Sequence, residues 1–542
     1  MTSFIVILRT WLNLYRQAPQ KLPALVKRKS TLFILGLLVT VSHLSAKEPA
    51  DALRYSWVVP TGTARQQAIG GAMGSLGGDI SSAYVNPAGL AFYKTGDFVI
   101  TPGFNLSSNK TSYLNRTEKD KKNSFNLGTT GIVLGAGSRR GGQVTSSAFA
   151  IAVNRSANFN NSILYRGQNN TTSYSQKFLE EIRNANEGDA NNVSGNYPYG
   201  SSLAFNTYWI DTIGGGTNGN FEFQSRAQNL LATGLLQENT LQTTGGITEL
   251  TFGGGASFND KVYVGGTLGI PFLHYDRTST FTEADATDNN MNKFNFASIE
   301  ENLTTKGIGI NLKAGVIFKP VEFIRLGLAV HSPSFYNITE SYDVYVETDT
   351  ENYQGLLNQE SGALTGNVSD FKYYLMTPYR LIASASYVLR EAEDVRRQKG
   401  FITADIEYIN YKASSFSTDA EADNSQSTKD YFSALNDVID NTYKSAFNFK
   451  LGGELKFNTV MVRAGAAYYG NPYKNIIGEK GNRFLLSGGL GYRHKGMFID
   501  VTYVHNMTKD VHVPYRLDSA PNVMANIRNT TGNAVLTLGF KI

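Results

Sequence analysis

The chain has 542 residues, contains no cysteine, and is rich in glycine and aromatic residues, with 53 Gly, 30 Tyr and 31 Phe. The absence of cysteine excludes disulfides, cysteine-ligated zinc and a thiol nucleophile. The net charge of +5 is small for this length, and no basic block with interleaved aromatic residues suggests nucleic-acid binding.

Residues 1–46 have the three parts of an export signal. KLPALVKRKS is a positively charged region, TLFILGLLVTV is an apolar core, and SHLSA is a small-residue end that places cleavage near Ala46. The apolar core is too short for a comfortable membrane-spanning helix, and no later stretch reaches the roughly 20 consecutive apolar residues that such a helix requires. We therefore predict a signal peptide of unusual length, followed by a chain that is either soluble or crosses a membrane as β-strands.

Residues 47–96 do not alternate in the way that strands do. The stretch AIGGAMGSLGGDISSAYVNPAGLA is built from small residues, and its glycines permit tight turns with positive φ. Pro87 has a fixed φ and disfavours helical geometry at Asn86, whose side chain can bond to nearby backbone amides. We expect a compact, turn-containing unit here.

From Asp97 onward, every second residue is apolar over runs of ten or more positions, which is the period of β-strands. GIGINLKAGVIF, for example, places Ile308 and Ile310 on one face and Asn311 and Lys313 on the other. Fourteen strands are predicted, at about residues 97–109, 123–137, 143–160, 245–258, 261–281, 303–319, 322–346, 371–389, 401–416, 443–457, 459–472, 482–494, 497–513 and 528–542.

The connections between these strands alternate between short turns and long polar loops, the longest running from about 166 to 244. A soluble β-sandwich has no reason to place its tight turns at one end and its long loops at the other, whereas outer-membrane barrels do so and have an even strand number. The fold class is therefore all-β: a 14-stranded antiparallel transmembrane β-barrel over residues 97–542, in the outer membrane of a Gram-negative bacterium.

Barrels of about eight strands fill themselves with side chains, and those of sixteen or more enclose a channel, so fourteen strands leave a lumen that needs a plug. Residues 47–96 are the candidate for an N-terminal hatch inside that lumen. At these residues the chain resembles the FadL/TodX-type outer-membrane transporters, whose hatch carries a Gly-Gly-Ala and Asn-Pro-Ala-Gly motif. The matching residues are Gly70, Gly71, Ala72, Asn86, Pro87, Ala88 and Gly89.

The resemblance implies passive diffusion of hydrophobic small molecules, such as long-chain fatty acids or similar hydrocarbons, through a hatch-gated barrel. In that family the ligand can leave sideways, through a wall opening made by a kink in the third strand. Here the third strand, VTSSAFAIAVNRSANF, contains no Gly or Pro, which argues against such a kink. We expect Asn86-Pro87-Ala88 to anchor the hatch and the glycine-rich run from Gly70 to Gly78 to let it shift.

Charged residues fall on the non-apolar face of the strands, and they are expected to point inward because a Lys or Arg facing lipid costs roughly 2–4 kcal/mol. Most are expected to form a salt-bridged inner wall. Four of the cations are candidate partners for a ligand carboxylate: Arg325, Arg380, Lys450 and Arg463.

Two other functions stay open at this point. The barrel could recruit exported proteins at the surface, or it could be structural or adhesive; SQKFLEEIRNA in the long insertion could be an apolar docking surface or a small helix over the barrel mouth. No catalytic residues, cofactor or metal site are predicted. The expected partners are a hydrophobic ligand, outer-membrane lipid and the barrel-assembly machinery, with no nucleic acid, and the protein is expected to be a monomer.

Overall fold

The computed structural model describes residues 49–57, 60–138, 142–214, 221–287, 289–366, 370–390, 399–474 and 481–542. The predicted signal peptide lies outside the described residues.

In the described part of the chain, fourteen antiparallel strands form one closed barrel, as the sequence predicted. Some strands are briefly interrupted, and the two pieces of such a strand are given together. The strands are β1 (Asp97–Ile100 and Pro102–Tyr113), β2 (Arg116–Leu127 and Thr130–Gly137), β3 (Val144–Asn158 and Asn161–Asn169), β4 (Leu235–Phe258), β5 (Val262–Asp285), β6 (Phe296–Val321), β7 (Ile324–His331 and Phe335–Asp349), β8 (Asp370–Met376 and Arg380–Leu389), β9 (Gly400–Asn410 and Ser415–Thr418), β10 (Ser445–Phe457), β11 (Val460–Tyr469), β12 (Arg483–His494), β13 (Met497–His512) and β14 (Ala525–Lys541). The barrel closes where β1 pairs with β14, with Phe98 opposite Phe540.

Apolar side chains cover the outside of the barrel and polar ones the inside. On β13, Met497, Ile499 and Val501 are 42–54% exposed, whereas the intervening Asp500 and Thr502 are each 1% exposed. The same alternation on the neighbouring strands gives a continuous apolar outer band, which is the surface that a lipid-embedded barrel presents. Among the described residues, no helix is long and apolar enough to cross a membrane.

The helices lie inside the barrel or in the connections at one end. They are α1 (Pro49–Arg54), α2 (Ala64–Ala68), α3 (Ser82–Val85), α4 (Ser175–Asn184), α5 (Ala190–Asn196), α6 (Ser201–Asn206), α7 (Ser361–Thr365) and α8 (Gln426–Thr442), with 3₁₀ turns at Pro87–Phe92, Ala227–Leu230 and Tyr411–Ala413. Three short strands, Ile210–Ile213, Glu222–Ser225 and Leu356–Glu360, complete the long connections. We call the end that carries these connections the loop end and the opposite end the turn end.

The connection between β3 and β4 holds α4, α5 and α6 in a packed unit at the loop end. Phe178 and Ile182 of α4 are 1% and 3% exposed, and they belong to a core that includes Trp209 and Phe281. The amphipathic stretch is thus a small helix whose apolar face is buried within the protein.

The first loop-end connection differs from the expectation of a long polar loop. β1 continues to Tyr113 and β2 begins at Arg116, so the connection is a two-residue turn in which Leu114 and Asn115 have φ values of 45° and 62°. The residues on either side of this turn, among them the exposed Lys110 and Lys121, pair as a hairpin. Polar residues occupy both faces of this hairpin, including the buried Asn109 and Thr111, so the sequence has no apolar alternation to reveal the strands.

Candidate functional site

Of the predicted hatch, residues 47–96, the part from residue 60 to residue 96 occupies the lumen on the turn-end side. Its course depends on left-handed turns, with φ values of 66° and 79° at Gly70 and Gly71 and of 70° and 67° at Gly77 and Gly78. Residues with a side chain rarely adopt this conformation, so these glycines set the path of the segment. Gly96 bonds to the backbone of Ile542 at the end of the chain, which fixes the exit of the hatch into β1.

The barrel wall has glycines where the hatch backbone touches it. A Cβ on Gly265 would lie 2.3 Å from the carbonyl carbon of Pro87, and one on Gly327 would lie 2.2 Å from the carbonyl oxygen of Gly74. A Cβ on Gly465 would lie 2.2 Å from the amide nitrogen of Gly70. Backbone therefore packs directly on backbone around the hatch.

Asn86 joins the hatch to itself and to the wall. Its Nδ2 donates to the carbonyl oxygen of Gly74 at 2.6 Å and lies 3.3 Å and 3.4 Å from those of Val316 and Leu328, while its Oδ1 accepts from the amide of Ala88 at 3.1 Å. Pro87 opens the 3₁₀ turn that follows. These contacts place the Asn-Pro-Ala-Gly motif at a junction of two hatch turns with β6 and β7.

Side chains of other strands hold the rest of the hatch. Asp405 of β9 accepts from the amides of Met73 and Gly74, each at 3.0 Å. Farther round the barrel, Thr502 of β13 donates to the carbonyl oxygen of Ala64 at 2.7 Å, and the amide of Ala64 donates to Thr537 of β14 at 2.8 Å. Attachments to several strands, buried away from water, keep the turn end closed.

The four candidate carboxylate partners are all engaged within the protein. Arg463 is fully buried between Glu454 and Asp500, at 2.6 Å and 2.5 Å, and Lys450 lies 3.0 Å from Glu407. Two of the cations hold the N-terminal segment, since Arg325 donates to the carbonyl oxygen of Leu76 at 2.9 Å and Arg380 donates to that of Ser56 at 3.3 Å.

Arg380 and Lys450 also share a cavity of about 140 Å³ between the hatch and the wall. Its lining includes the ion pair of Lys313 with Glu249, so it is small and charged. The role of these two cations toward a ligand stays a prediction, and Arg325 and Arg463 lie outside the lining of this cavity.

Above the hatch, a buried apolar cluster fills one side of the lumen. α1 packs against α8 there, and the ring of Phe159 lies edge-on to that of Tyr275 at 5.4 Å. Members of this cluster include Leu53, Tyr55, Leu273, Tyr275, Leu303, Tyr336, Tyr373, Phe416, Phe432 and Ile439.

The other side of the lumen holds a cavity of about 450 Å³, a volume typical of small-molecule sites. Its apolar lining includes Trp57, Phe159, Tyr275 and Leu485. Its polar lining holds five charged residues, Arg54, Arg155, Arg483, Lys509 and Asp510, and nine asparagines, Asn105, Asn109, Asn126, Asn158, Asn160, Asn161, Asn506, Asn529 and Asn533. We call this space the asparagine cavity.

The wall beside the asparagine cavity is not continuous. β2 and β3 pair from Gly137 and Ser146 up to Thr130 and Val153, and no backbone pairing joins the two strands beyond that point in the described residues. Residues 116–127 of β2 pair with β1 only, and the upper part of β3 pairs with β4 only. We call this unpaired stretch the β2–β3 seam.

Three side-chain hydrogen bonds bridge the β2–β3 seam. Asn158 donates to Ser124 at 3.3 Å, Ser162 donates to Asp120 at 2.5 Å, and Arg166 donates to Glu118 at 2.8 Å. The asparagine cavity is bordered by residues on both edges of the seam, including Asn126 and Gly128 of β2.

The break in β3 corrects the expectation of an unkinked third strand. The strand is interrupted at Phe159 and Asn160, and its register with β4 shifts between Arg155 and Ala157. The glycines that permit this lie on the partner strand: a Cβ on Gly246 of β4 would lie 2.2 Å from the carbonyl oxygen of Ala157. The sequence feature that permits the break in β3 is therefore the glycine pair in TTGGIT of β4, and it does not lie in β3 itself.

A barrel with an internal hatch has counterparts among solved structures. A FadL homologue from Pseudomonas aeruginosa gives a TM-score of 0.51 at 13% sequence identity, over 90% of this chain and 99% of that chain. The TodX monoaromatic hydrocarbon channel, as its deltaS2 mutant, gives a TM-score of 0.50 at 11% identity, over 89% of this chain and 98% of that chain. The sequence matches no protein-family model and has no significant match among curated proteins. At these identities the likeness establishes the fold alone: a 14-stranded barrel with an internal hatch, similar to the fold of the FadL homologue.

Proposed function

We propose that the protein is an outer-membrane channel that carries hydrophobic small molecules by passive diffusion, from the asparagine cavity through the β2–β3 seam into the surrounding lipid. The observation that carries this proposal is the position of the cavity, directly above a hatch and directly behind an unpaired part of the wall. The structural neighbours, a FadL homologue and a monoaromatic hydrocarbon channel, support the choice of a hydrophobic cargo.

The relative cost of the two exits favours the seam. Leaving through the turn end requires the hatch to break buried hydrogen bonds at Asn86, Asp405 and Thr502, and each buried group left unsatisfied costs about 1–3 kcal/mol. Opening the seam separates three side-chain hydrogen bonds, two of them partly buried and one exposed, and groups that meet water on opening lose only the small net contribution of each bond. A side exit therefore needs less rearrangement.

The destination also favours the seam. Each methylene of an apolar ligand gains about 0.8 kcal/mol on moving from water into an apolar environment. A ligand that passes sideways between β2 and β3 enters the hydrocarbon layer against Phe125 and Leu127, both exposed on the outer face of β2. At the level of these two residues the route leads from the cavity to the apolar outer surface of the barrel.

Cells of a Gram-negative host that make the protein should accumulate radiolabelled long-chain fatty acid or toluene faster than cells with an empty vector. The protein must first be shown to be folded in the outer membrane, by its heat-dependent mobility on a gel. Equal accumulation in the two strains, with folded protein present, would reject the transport function.

A further inference from the structure

The outer face of the barrel carries a row of cations near the loop end of β1, β2 and β14. Lys119 of β2 lies directly opposite Lys110 of β1, and Lys110 lies directly opposite Arg528 of β14. All three residues are exposed, and so is Lys121, two positions from Lys119 on the same face of β2. We call these four residues the basic row.

The alternation of burial along the strands shows that the basic row points away from the lumen. The neighbours of these cations on β1 and β14, Thr111 and Ile527, are 1% and 5% exposed. On β2, the residues that alternate with the lysines, Glu118 and Asp120, bond to β3 across the β2–β3 seam. Successive side chains of a strand point to opposite faces, so the four cations lie on the outer face.

The basic row lies just beyond the apolar outer band. On β1 the outward-facing Leu106 and Lys110 are four positions apart, and on β2 so are Phe125 and Lys121. Leu106 and Phe125 are 41% and 67% exposed. A strand rises about 3.3 Å per residue, so each cation lies roughly 13 Å along its strand from an apolar residue. Because the long loops of such barrels are extracellular, this is the level of the headgroups of the outer leaflet.

The protein does not neutralise the charge of the basic row. In the described part of the chain, none of the four cations forms an ion pair. The outward-facing positions of β1, β2 and β14 around the row contain no acidic residue. Like charges directly opposite each other destabilise a sheet, so an anion bound outside the barrel would relieve the repulsion.

This concentration of positive charge is not a general feature of the loop end. On β5, β6 and β7 the outward-facing residues toward the same end include Asp276, Glu300 and Glu347. The outer face is therefore basic at β1, β2 and β14 and rich in carboxylates at β5 to β7.

The geometry of the basic row specifies the kind of anion that fits. Neighbouring strands lie about 4.8 Å apart, so the row from Lys119 to Arg528 spans roughly 10 Å across three strands. One phosphate can contact part of such a row, whereas two phosphates on one headgroup can contact all of it, and both Lys and Arg bind phosphate. The adjoining apolar surface at Leu106 and Phe125 can pack against acyl chains.

We propose that the basic row binds an outer-leaflet lipid whose headgroup carries two phosphates, of the chemical class of lipid A, with its acyl chains lying along the apolar outer band. This inference does not depend on the proposed transport function, because it rests only on the barrel and on the charges of its outer face.

Native mass spectrometry of the protein in neutral detergent micelles tests the inference. Diphosphoryl and monophosphoryl lipid A with the same acyl chains are added in equal amounts, and the bound lipid is counted per barrel. The diphosphoryl form is expected to bind at least about fivefold more tightly, the factor that one charge contact at a lipid surface supplies, and added salt should weaken its binding. Equal binding of the two forms would overturn the inference.

Inorganic pyrophosphate, at the same concentration as the lipid, distinguishes a lipid site from a site for free phosphate. It should displace little diphosphoryl lipid A, because it has no acyl chains to contact the apolar outer band. Displacement of most of the lipid would contradict a lipid as the occupant.

The double variant Lys110→Gln and Lys119→Gln should lower the affinity for diphosphoryl lipid A by about tenfold or more. The matched control is Lys306→Gln with Lys372→Gln, which removes two exposed, outward-facing lysines that pair with Thr339 from either side. The control should keep the wild-type affinity. An unchanged affinity in the first double variant, or an equal loss in both, would exclude the basic row as the site.

Heat-dependent mobility on a gel shows whether the first double variant is folded. Should it fail to fold, Arg528→Gln alone must lower the affinity for diphosphoryl lipid A several-fold. An unchanged affinity in that variant is equally contradictory.

Discussion

Two parts of the same barrel wall are held together very differently. β4 and β5 pair without interruption over 24 residue pairs, from Phe258 and Val262 to Leu235 and Asp285. β2 and β3, by contrast, lose their backbone pairing above Thr130 and Val153 and are bridged only by side chains. The difference identifies the β2–β3 seam as the place where the wall can open without breaking a backbone ladder.

The contrast has functional meaning only while the turn end is closed. If the hatch left the lumen, ligands and ions would pass along the barrel axis, and the seam would no longer decide the route. The first two predictions therefore disturb the hatch, and the third disturbs the seam itself.

Gly265→Val should have the largest effect. The new side chain would collide with the backbone of Pro87 and Ala88, since even a Cβ would lie 2.3 Å from the carbonyl carbon of Pro87. Overpacking of this kind costs about 1–3 kcal/mol, so ion conductance in a planar bilayer should rise by roughly tenfold or more. Gly266→Val is the matched control, because a Cβ there meets only one backbone atom, at 3.7 Å. Equal conductance in the two variants would show that the hatch does not depend on this contact.

Asn86→Ala should have an intermediate effect. It removes the donor to the carbonyl oxygen of Gly74 and the acceptor for the amide of Ala88. Leaving such buried groups unpaired costs about 1–3 kcal/mol, and we expect conductance to rise several-fold while the barrel stays folded. Asn302→Ala, which removes the acceptor for Thr278 and the donor to Glu300 far from the hatch, should leave conductance unchanged. An Asn86→Ala variant with unchanged ion conductance would show that the Asn-Pro-Ala-Gly motif does not anchor the hatch.

Arg166→Gln should have the smallest effect. The ion pair of Arg166 with Glu118 is open to solvent, and such pairs contribute little to stability. Uptake should therefore increase by roughly two- to fivefold as the seam opens more often. Added salt should speed uptake by the wild-type protein and have less effect on the variant, because salt screens exposed charges. Lys121→Gln, on the same strand as Glu118, is the control. A comparable increase in uptake in that variant would contradict a specific role of the Arg166–Glu118 ion pair in closing the seam.

The overall fold could be predicted from the sequence because each transmembrane strand obeys a rule of period two. A side chain on β13 such as Val501 faces lipid, and its neighbour Thr502 faces the lumen. The alternation of apolar and polar residues along the sequence therefore predicts the strand directly. The hatch was also recognisable, since Gly70 and Gly71 adopt the left-handed turns that their residue type suggested.

The candidate site was much less accessible. Asn105, Asn126 and Asn506 lie on β1, β2 and β13, and they meet only because the barrel closes. The seam was missed for a related reason: the permissive glycines, Gly245 and Gly246, lie on β4 opposite the break in β3. Properties that depend on which strands become neighbours are not encoded in the local pattern of any one strand.

The most direct test of the account locks the β2–β3 seam. The chain has no cysteine, so Ser124→Cys with Asn158→Cys introduces a single thiol pair across the seam, which a short bis-methanethiosulfonate reagent can join through two reducible disulfides. The matched control is Ile132→Cys with Ile151→Cys, which links the same two strands where they are already paired. Uptake of radiolabelled ligand should fall to the empty-vector level when the seam pair is joined, return on reduction, and stay normal in the control. Unchanged uptake with the seam joined would contradict a side exit between β2 and β3.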